Sequence, residues 1–360
     1  MVVQTASHAT SNAKPPRRRW SGLILRATVT VSVFAFLLSR IDLASSLESA
    51  RHARLGWILL ALAACSIGFI VSTFKWSVLL AGLGIPCSRW FLLRVYGIGH
   101  FTSSFLPGTI GGDVVRLRLV GHSTGDYLRT AAGILAERIT GVIVMILMAV
   151  SAVAVSYATV GTPPVLILVG SSLGLLLAGL SVVLNRRLAT VLAYRARRWK
   201  IRRIASKIYR LHRILRTFPR RPLGTALALS VLFYSANGFV LYLCCVAFDL
   251  PVSPIRAITV VVLVNVLVLI PISLGGLGLK QAGDVYLLGL MGVDPAQALA
   301  VALLRQLIIY GYTLIGGLFL ITWHHAGKND PAADGPIPLP IDPDNRAAPD
   351  PGSGGAEAPR

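Results

Sequence analysis

Apolar residues fall in long blocks along this chain rather than in short alternating runs. Six blocks, at about 21–39, 56–83, 130–158, 163–184, 223–248 and 297–323, approach or exceed the ~20 residues that cross a hydrocarbon core. Two further blocks are awkward. Residues 90–106, WFLLRVYGIGHFTSSFL, include Arg94 and His100 and stop at Pro107, and residues 256–272 give out around Pro271. Each is followed by a Gly-rich break and a moderately apolar stretch. Irregular backbone at membrane depth is tolerated only inside protein or beside a wet cavity, because lipid offers no hydrogen bonds. The pattern predicts an all-α polytopic membrane protein with about six full spans and two re-entrant broken-helix hairpins.

The two breaks share a motif. PGTIGGD begins at Pro107 and PISLGGLG at Pro271, both Pro-x-x-x-Gly-Gly, so Gly111–Gly112 corresponds to Gly275–Gly276 at an offset of 164 residues (275 − 111). A polar pair follows each motif: Glu137–Arg138 in AERITG, and Arg305–Gln306 in ALLRQL. Four spans separate the basic N-terminal flank from the basic loop, and a fifth then carries the chain across. The two hairpins are therefore expected to open on opposite faces, as an inverted repeat. In transporters built this way, paired Gly/Pro-interrupted segments mark the substrate site near the midplane.

Charge sets the orientation. The 360 residues are 54% hydrophobic and 14% charged, against ~25% charged in a soluble domain, yet the net charge is +21. Residues 185–222 alone hold fourteen Lys or Arg and no acid. Such loops stay cytoplasmic, which places both termini there, in the cell membrane. Within it Ile201, Ile204, Ile208, Leu211 and Leu215 recur at helical spacing between basic residues, predicting an amphipathic helix on anionic headgroups or on a second copy of the chain. The basic residues lie beside spans rather than on a separate domain, which argues against nucleic acid. We divide the chain into a basic tail (1–20), a transmembrane domain (21–325, with the basic loop at 186–222) and a Pro-rich disordered tail (326–360). The run at 21–39 exceeds a signal peptide's apolar core and reads as an uncleaved first helix.

Candidate chemistry gathers at the motifs. Glycines let backbone approach a ligand, and a helix beginning mid-membrane offers free N–H groups to an anion. A charge at the bilayer centre costs at least ~2.5–3.5 kcal/mol, so it faces a cavity or a partner. Arginine suits phosphate through its two-pronged donor geometry. The candidate ligand-binding residues are Gly111, Gly112, Asp113, Arg116, Glu137, Arg138, Gly275, Gly276, Lys280 and Arg305, with Asp284 a further acid. Plainer roles compete: Asp113 as a helix N-cap, Arg116 and Arg118 as headgroup anchors, Glu137 and Arg138 as ion-pair partners of neighbouring helices. Asn237 and Asn265 read as interhelical hydrogen-bonding residues, and isolated Lys75 and His100 receive no role. Cys65, Cys87, Cys244 and Cys245 have no metal-type spacing and read as small apolar residues. The sequence offers no metal site, no cofactor motif and no catalytic constellation.

FLPGTIGGDVVRL, AERITG, PISLGGLGLKQ and ALLRQL resemble the lysylphosphatidylglycerol synthase transmembrane-region family, over roughly residues 20–325. The resemblance implies a flippase-like membrane domain of about eight helices that moves phospholipid or a lipid-linked carrier between leaflets. It implies the lipid-handling part alone, without the soluble aminoacyl-transferase domain. Relatives often continue the second motif with Arg-Glu, where this chain has Lys280–Gln281. A membrane-embedded transferase acting on a polyprenyl-phosphate or phospholipid is the alternative.

Overall fold

A computed structural model describes residues 54–105, 110–184, 210–270 and 276–329, and all regular structure among them is helical. The helices are α1 (Leu55–Gly82), α2 (Arg89–Phe105), α3 (Ile110–Thr124), α4 (Tyr127–Val155), the short α5 (Tyr157–Val160), α6 (Pro163–Leu184), α7 (Arg220–Ala247), α8 (Pro254–Val268), α9 (Leu279–Leu290) and α10 (Pro295–Asn329). Five of them, α1, α4, α6, α7 and α10, are long and apolar enough to cross a membrane, and they match five of the six expected spans within a few residues. The expected span at 21–39, most of the amphipathic segment and the tail after 329 lie outside the described residues.

Local chemistry sets the boundaries. Asp126 caps α4, its carboxylate accepting the Arg129 N–H at 2.9 Å. Ser253 does the same for α8, where Pro254 takes the first helical position that needs no N–H. Before α9 the backbone passes through Gly276 (φ 79°) and Gly278 (φ 77°), a left-handed geometry that side chains resist.

The two halves are antiparallel. The Arg54 N–H at the start of α1 donates to the Ala247 carbonyl at the end of α7 (3.0 Å), and Arg54 pairs with Asp249. At the other end, a Cβ on Gly82 would meet the Pro222 ring at 2.7 Å. α1 and α7 thus form a central antiparallel pair, and the remaining packing repeats across them. α2 packs on α3 and α10, as α8 packs on α9 and α4. α3 then packs on α4 as α9 does on α10. The expected inverted repeat is present, with α6 added outside against α4 and α8.

The hairpins are re-entrant. At 1.5 Å per residue α2 is about 26 Å long and α8 and α3 about 22 Å each, short of a ~30 Å core, and α9 is shorter still. Gly84, leading into α2, lies beside Arg129 at the start of α4, so α2–α3 enters and leaves at the level where α1 ends. The second hairpin hangs from the opposite end. α8 follows α7 beside Arg54, and α10 runs parallel to α1, with the Tyr312 and Phe69 rings 5.9 Å apart.

Glycine lets these elements close. A Cβ on Gly112 would stand 2.0 Å from the Gly99 carbonyl, and one on Gly316 would stand 2.1 Å from the Gly97 carbonyl. Both contacts are backbone against backbone, the close approach that drives helix association in lipid. Gly316→Val is expected to destabilise the fold by at least ~1–3 kcal/mol through overpacking. Gly170→Ala, inside α6 with open space around it, should cost nothing and raise stability by up to ~1 kcal/mol through helix propensity. Thermal unfolding in detergent checks both.

Candidate functional site

The first motif builds a polar cavity inside the helix bundle. Its volume is about 190 Å³, well above the ~10–15 Å³ one water needs. Lys75 of α1, Tyr96 and His100 of α2, Asp113 and Arg116 of α3, and Glu137 and Arg138 of α4 line it. The order of those helices explains the convergence: α3 starts mid-bundle and leans on α4, while α2 folds back over both.

A chain of ionic contacts fixes the side chains. Arg116, only 5% exposed, forms a short ion pair with Glu137 and a second with Asp113 at 3.3 Å. Its guanidinium lies over the Trp76 and Tyr96 rings, 4.0 and 4.4 Å from their centroids, so aromatic faces replace water around the charge. The other Asp113 oxygen accepts from Arg138 at 2.9 and 3.1 Å. The Tyr96 hydroxyl donates to Glu137 at 3.0 Å. Lys75 donates to the Glu137 backbone carbonyl (3.0 Å) and to the Ser230 hydroxyl (2.9 Å). Three cations and two carboxylates leave the cavity one positive charge in excess (3 − 2).

These contacts decide between the competing roles. Asp113 is not an N-cap: α3 begins at Ile110, and the carboxylate bridges two arginines instead. Arg116 is no headgroup anchor, being buried, whereas Arg118 is exposed. Glu137 and Arg138, adjacent in sequence, each pair with α3. The Gly112 N–H, expected to be free for a ligand, donates to Ser103 at 3.1 Å, so that glycine serves helix approach. Gly111 lies beside it in the first turn of α3.

The second motif builds a different cluster. Asp284 of α9, 1% exposed, pairs with Arg305 of α10 at 2.9 Å, and its second oxygen has no partner among the described residues. Both halves therefore tie the second hairpin arm to the next helix by a buried ion pair, with the polarity reversed: cation on α3, carboxylate on α9. Gln281 accepts the Gly278 N–H at 2.8 Å and caps α9, a bond a neutral amide makes as a glutamate would. Lys280 lies across Gly276, its Cε 3.0 Å from where a Cβ would stand. Gly275 falls outside the described residues.

Between the clusters lies an aromatic row. The His100 ring is 6.2 Å from Tyr96 and 5.4 Å from Tyr312, centroid to centroid, and it is within electrostatic reach of both Arg116 and Lys280. Sequence reasoning assigned nothing to Lys75 and His100 and overlooked Tyr96. Lys75 had a usable signal, as the single charge inside the apolar run 56–83. Asn237 and Asn265 differ from expectation: each amide donates back to a carbonyl of its own helix, Phe233 and Val261, at 2.8 Å.

An inverted pair of helical halves, each with a re-entrant hairpin, around an intramembrane cavity lined by paired charges defines a polytopic membrane protein with a built polar site. Its family follows from comparison with known proteins. The chain belongs to the family described as the lysylphosphatidylglycerol synthase TM region, whose model matches residues 23–317. A relative, the UPF0104 membrane protein PH1989 of Pyrococcus horikoshii, is 23% identical over 319 residues, covering 81% of this chain and 95% of the relative. Membership ties the chain to a membrane-lipid function.

Arg116→Met, which strands Glu137 in a low-dielectric site, is expected to cost about 3–5 kcal/mol, and Arg116→Met with Glu137→Leu should recover most of it. A double-mutant cycle on unfolding in detergent measures this. Additive losses would deny the pair its structural role.

Proposed function

We propose that this protein moves a phospholipid or lipid-linked carrier between leaflets, its anionic headgroup held in the cavity of the first half. The observation that carries this reading is the positive excess in a cavity otherwise closed by mutual ion pairs. Arg116 is committed to two carboxylates and two rings. Arg138, with about half its side chain exposed, and Lys75, whose ammonium lies beside the cavity, have donors to offer a phosphate.

Orientation supports the same reading. Arg213, Arg216, Arg220 and Arg221 surround Leu215 and Phe218, which pack near the end of α1 where the first hairpin opens. By the positive-inside tendency that end is cytoplasmic, and its arginines rest on anionic headgroups. The cavity then serves the inner leaflet, while the second, sealed cluster is the counterpart that opens toward the outer side. A rocking of one half against the other would exchange the two. The transferase alternative has less support. Both carboxylates of the cavity are bound to arginines, which leaves His100 as the group a transferase would have to use for acid–base chemistry.

Transport of fluorescent phospholipids in proteoliposomes tests the proposal, comparing anionic with zwitterionic headgroups. Loss of a charge-assisted hydrogen bond at ~1.5–3 kcal/mol corresponds to about 10–100-fold. Arg138→Ala and Lys75→Met are each expected to slow anionic-lipid movement by about that factor, with Arg138→Lys intermediate. Wild-type protein that moves no lipid while remaining folded would overturn the reading, and covalent product from a donor and a lipid would install the transferase.

A further inference from the structure

A second cavity adjoins the first, and its chemistry is opposite. It has a volume of about 140 Å³ and lies between α1, α2 and α10, with Phe69, Leu93, Gly97, Tyr312 and Phe319 in its wall. Of the three hydroxyl-bearing residues on its wall, two turn into their own helices: Ser66 donates to the Leu62 carbonyl at 3.0 Å, and Thr313 donates to the Ile309 carbonyl; the third, Tyr312, stacks its ring against Phe69 and His100. Gly97 and Gly316, in backbone contact, let α2 and α10 meet closely beside the groove, with the Phe319 ring against Gly97. Ile70 and Ile315, 55% and 44% exposed, stand at its mouth on the lipid-facing surface.

One residue belongs to both cavities. His100 lines the charged cavity on one side and the apolar groove on the other. Passing across His100, the lining changes from Arg116, Glu137 and Lys75 to Phe69, Leu93 and Phe319. A soluble anion would have no use for the groove, and a hydrocarbon would have none for the cavity. Only an amphiphile fits both.

We propose that the two cavities are one binding site, for an anionic lipid whose phosphate sits between Lys75 and Arg138 and one of whose hydrocarbon chains crosses His100 into the groove. The inference rests on the headgroup assignment made above and adds the position of the chain. An apolar cavity of ~150 Å³ holds a benzene-sized group, so the groove takes the first six or so carbons of a single chain, not two. The rest of the chain leaves between Ile70 and Ile315 into the bilayer. The imidazole lies at the join, where a phosphodiester gives way to ester or alkyl carbon, and its ring N–H can donate to the linking oxygens. Selection then acts on two features at once: negative charge in the headgroup, and a slim, flexible first segment in the chain.

Photo-crosslinking tests this with full-length protein in nanodiscs and a phosphatidylglycerol probe carrying a diazirine near the carboxyl end of one chain. Glycerol 3-phosphate binding, read by calorimetry, reports on the headgroup cavity alone. The expected crosslinks map to Phe69, Leu93 or Phe319. Ile315→Trp, which fills the mouth of the groove, should reduce them at least tenfold while leaving glycerol 3-phosphate binding at its wild-type value. Leu318→Trp, on the exposed face of the same helix, should leave both unchanged. Crosslinks that persist in Ile315→Trp, or that fall instead on the apolar cleft around Ile167, Leu263 and Tyr286, would overturn the chain position while sparing the headgroup assignment. Failure of the wild-type protein to bind glycerol 3-phosphate would overturn both.

Discussion

The ion pair between Arg116 and Glu137 constrains everything around it. A guanidinium and a carboxylate withdrawn from water lose several kcal/mol of hydration each, and only close contact with well-placed further partners offsets that. Arg116 therefore needs Asp113, Trp76 and Tyr96 as well as Glu137, and those residues come from α1, α2, α3 and α4. Meeting them requires α3 to begin inside the bundle and α2 to lie directly on it. Side chains at Gly99 and Gly112 would block that approach, since a Cβ on Gly99 would strike the Arg116 side chain at 2.7 Å. Charge burial, a broken helix and a Gly-Gly pair are consequences of one geometric demand.

The second half meets the same demand differently. Asp284 and Arg305 join α9 to α10 as Arg116 and Glu137 join α3 to α4, but with the charges exchanged between arm and helix. The first pair borders a cavity that also admits Arg138 and Lys75. The second is itself buried, and Gln281 on the same helix bonds to the α9 cap and to Gln306. The two halves share their packing but carry their ion pairs in opposite sense.

Polar residues in the bundle divide by where their hydrogen bonds go. Asn237, Asn265, Ser66 and Thr313 return theirs to carbonyls of their own helices, so they add polarity to the sequence without adding a site. Gln281 serves a helix start. Lys75, Tyr96 and His100 differ because their polar atoms or rings reach between helices, around a cavity that no single helix could form. Composition treats both kinds alike. Only the direction of each bond separates them.

The sequence by itself determined the elements and their order. Span lengths, the two proline-terminated short helices and the paired Pro-x-x-x-Gly-Gly motifs follow from the cost of exposing backbone to lipid, which acts locally and leaves a one-dimensional record. The repeat at Gly111–Gly112 and Gly275–Gly276, with the charge balance of the loops, extends that record to an inverted arrangement. The tertiary structure decided the partners. Whether Glu137 joins its neighbour Arg138 or the distant Arg116, and whether Lys75 stands alone or reaches Ser230, depends on distances between helices remote in the chain. Electrostatic and cavity terms depend on separation in space, and no periodicity along a helix encodes it. So the motifs were legible in advance, while the site they form, polar on one side of His100 and apolar on the other, was not.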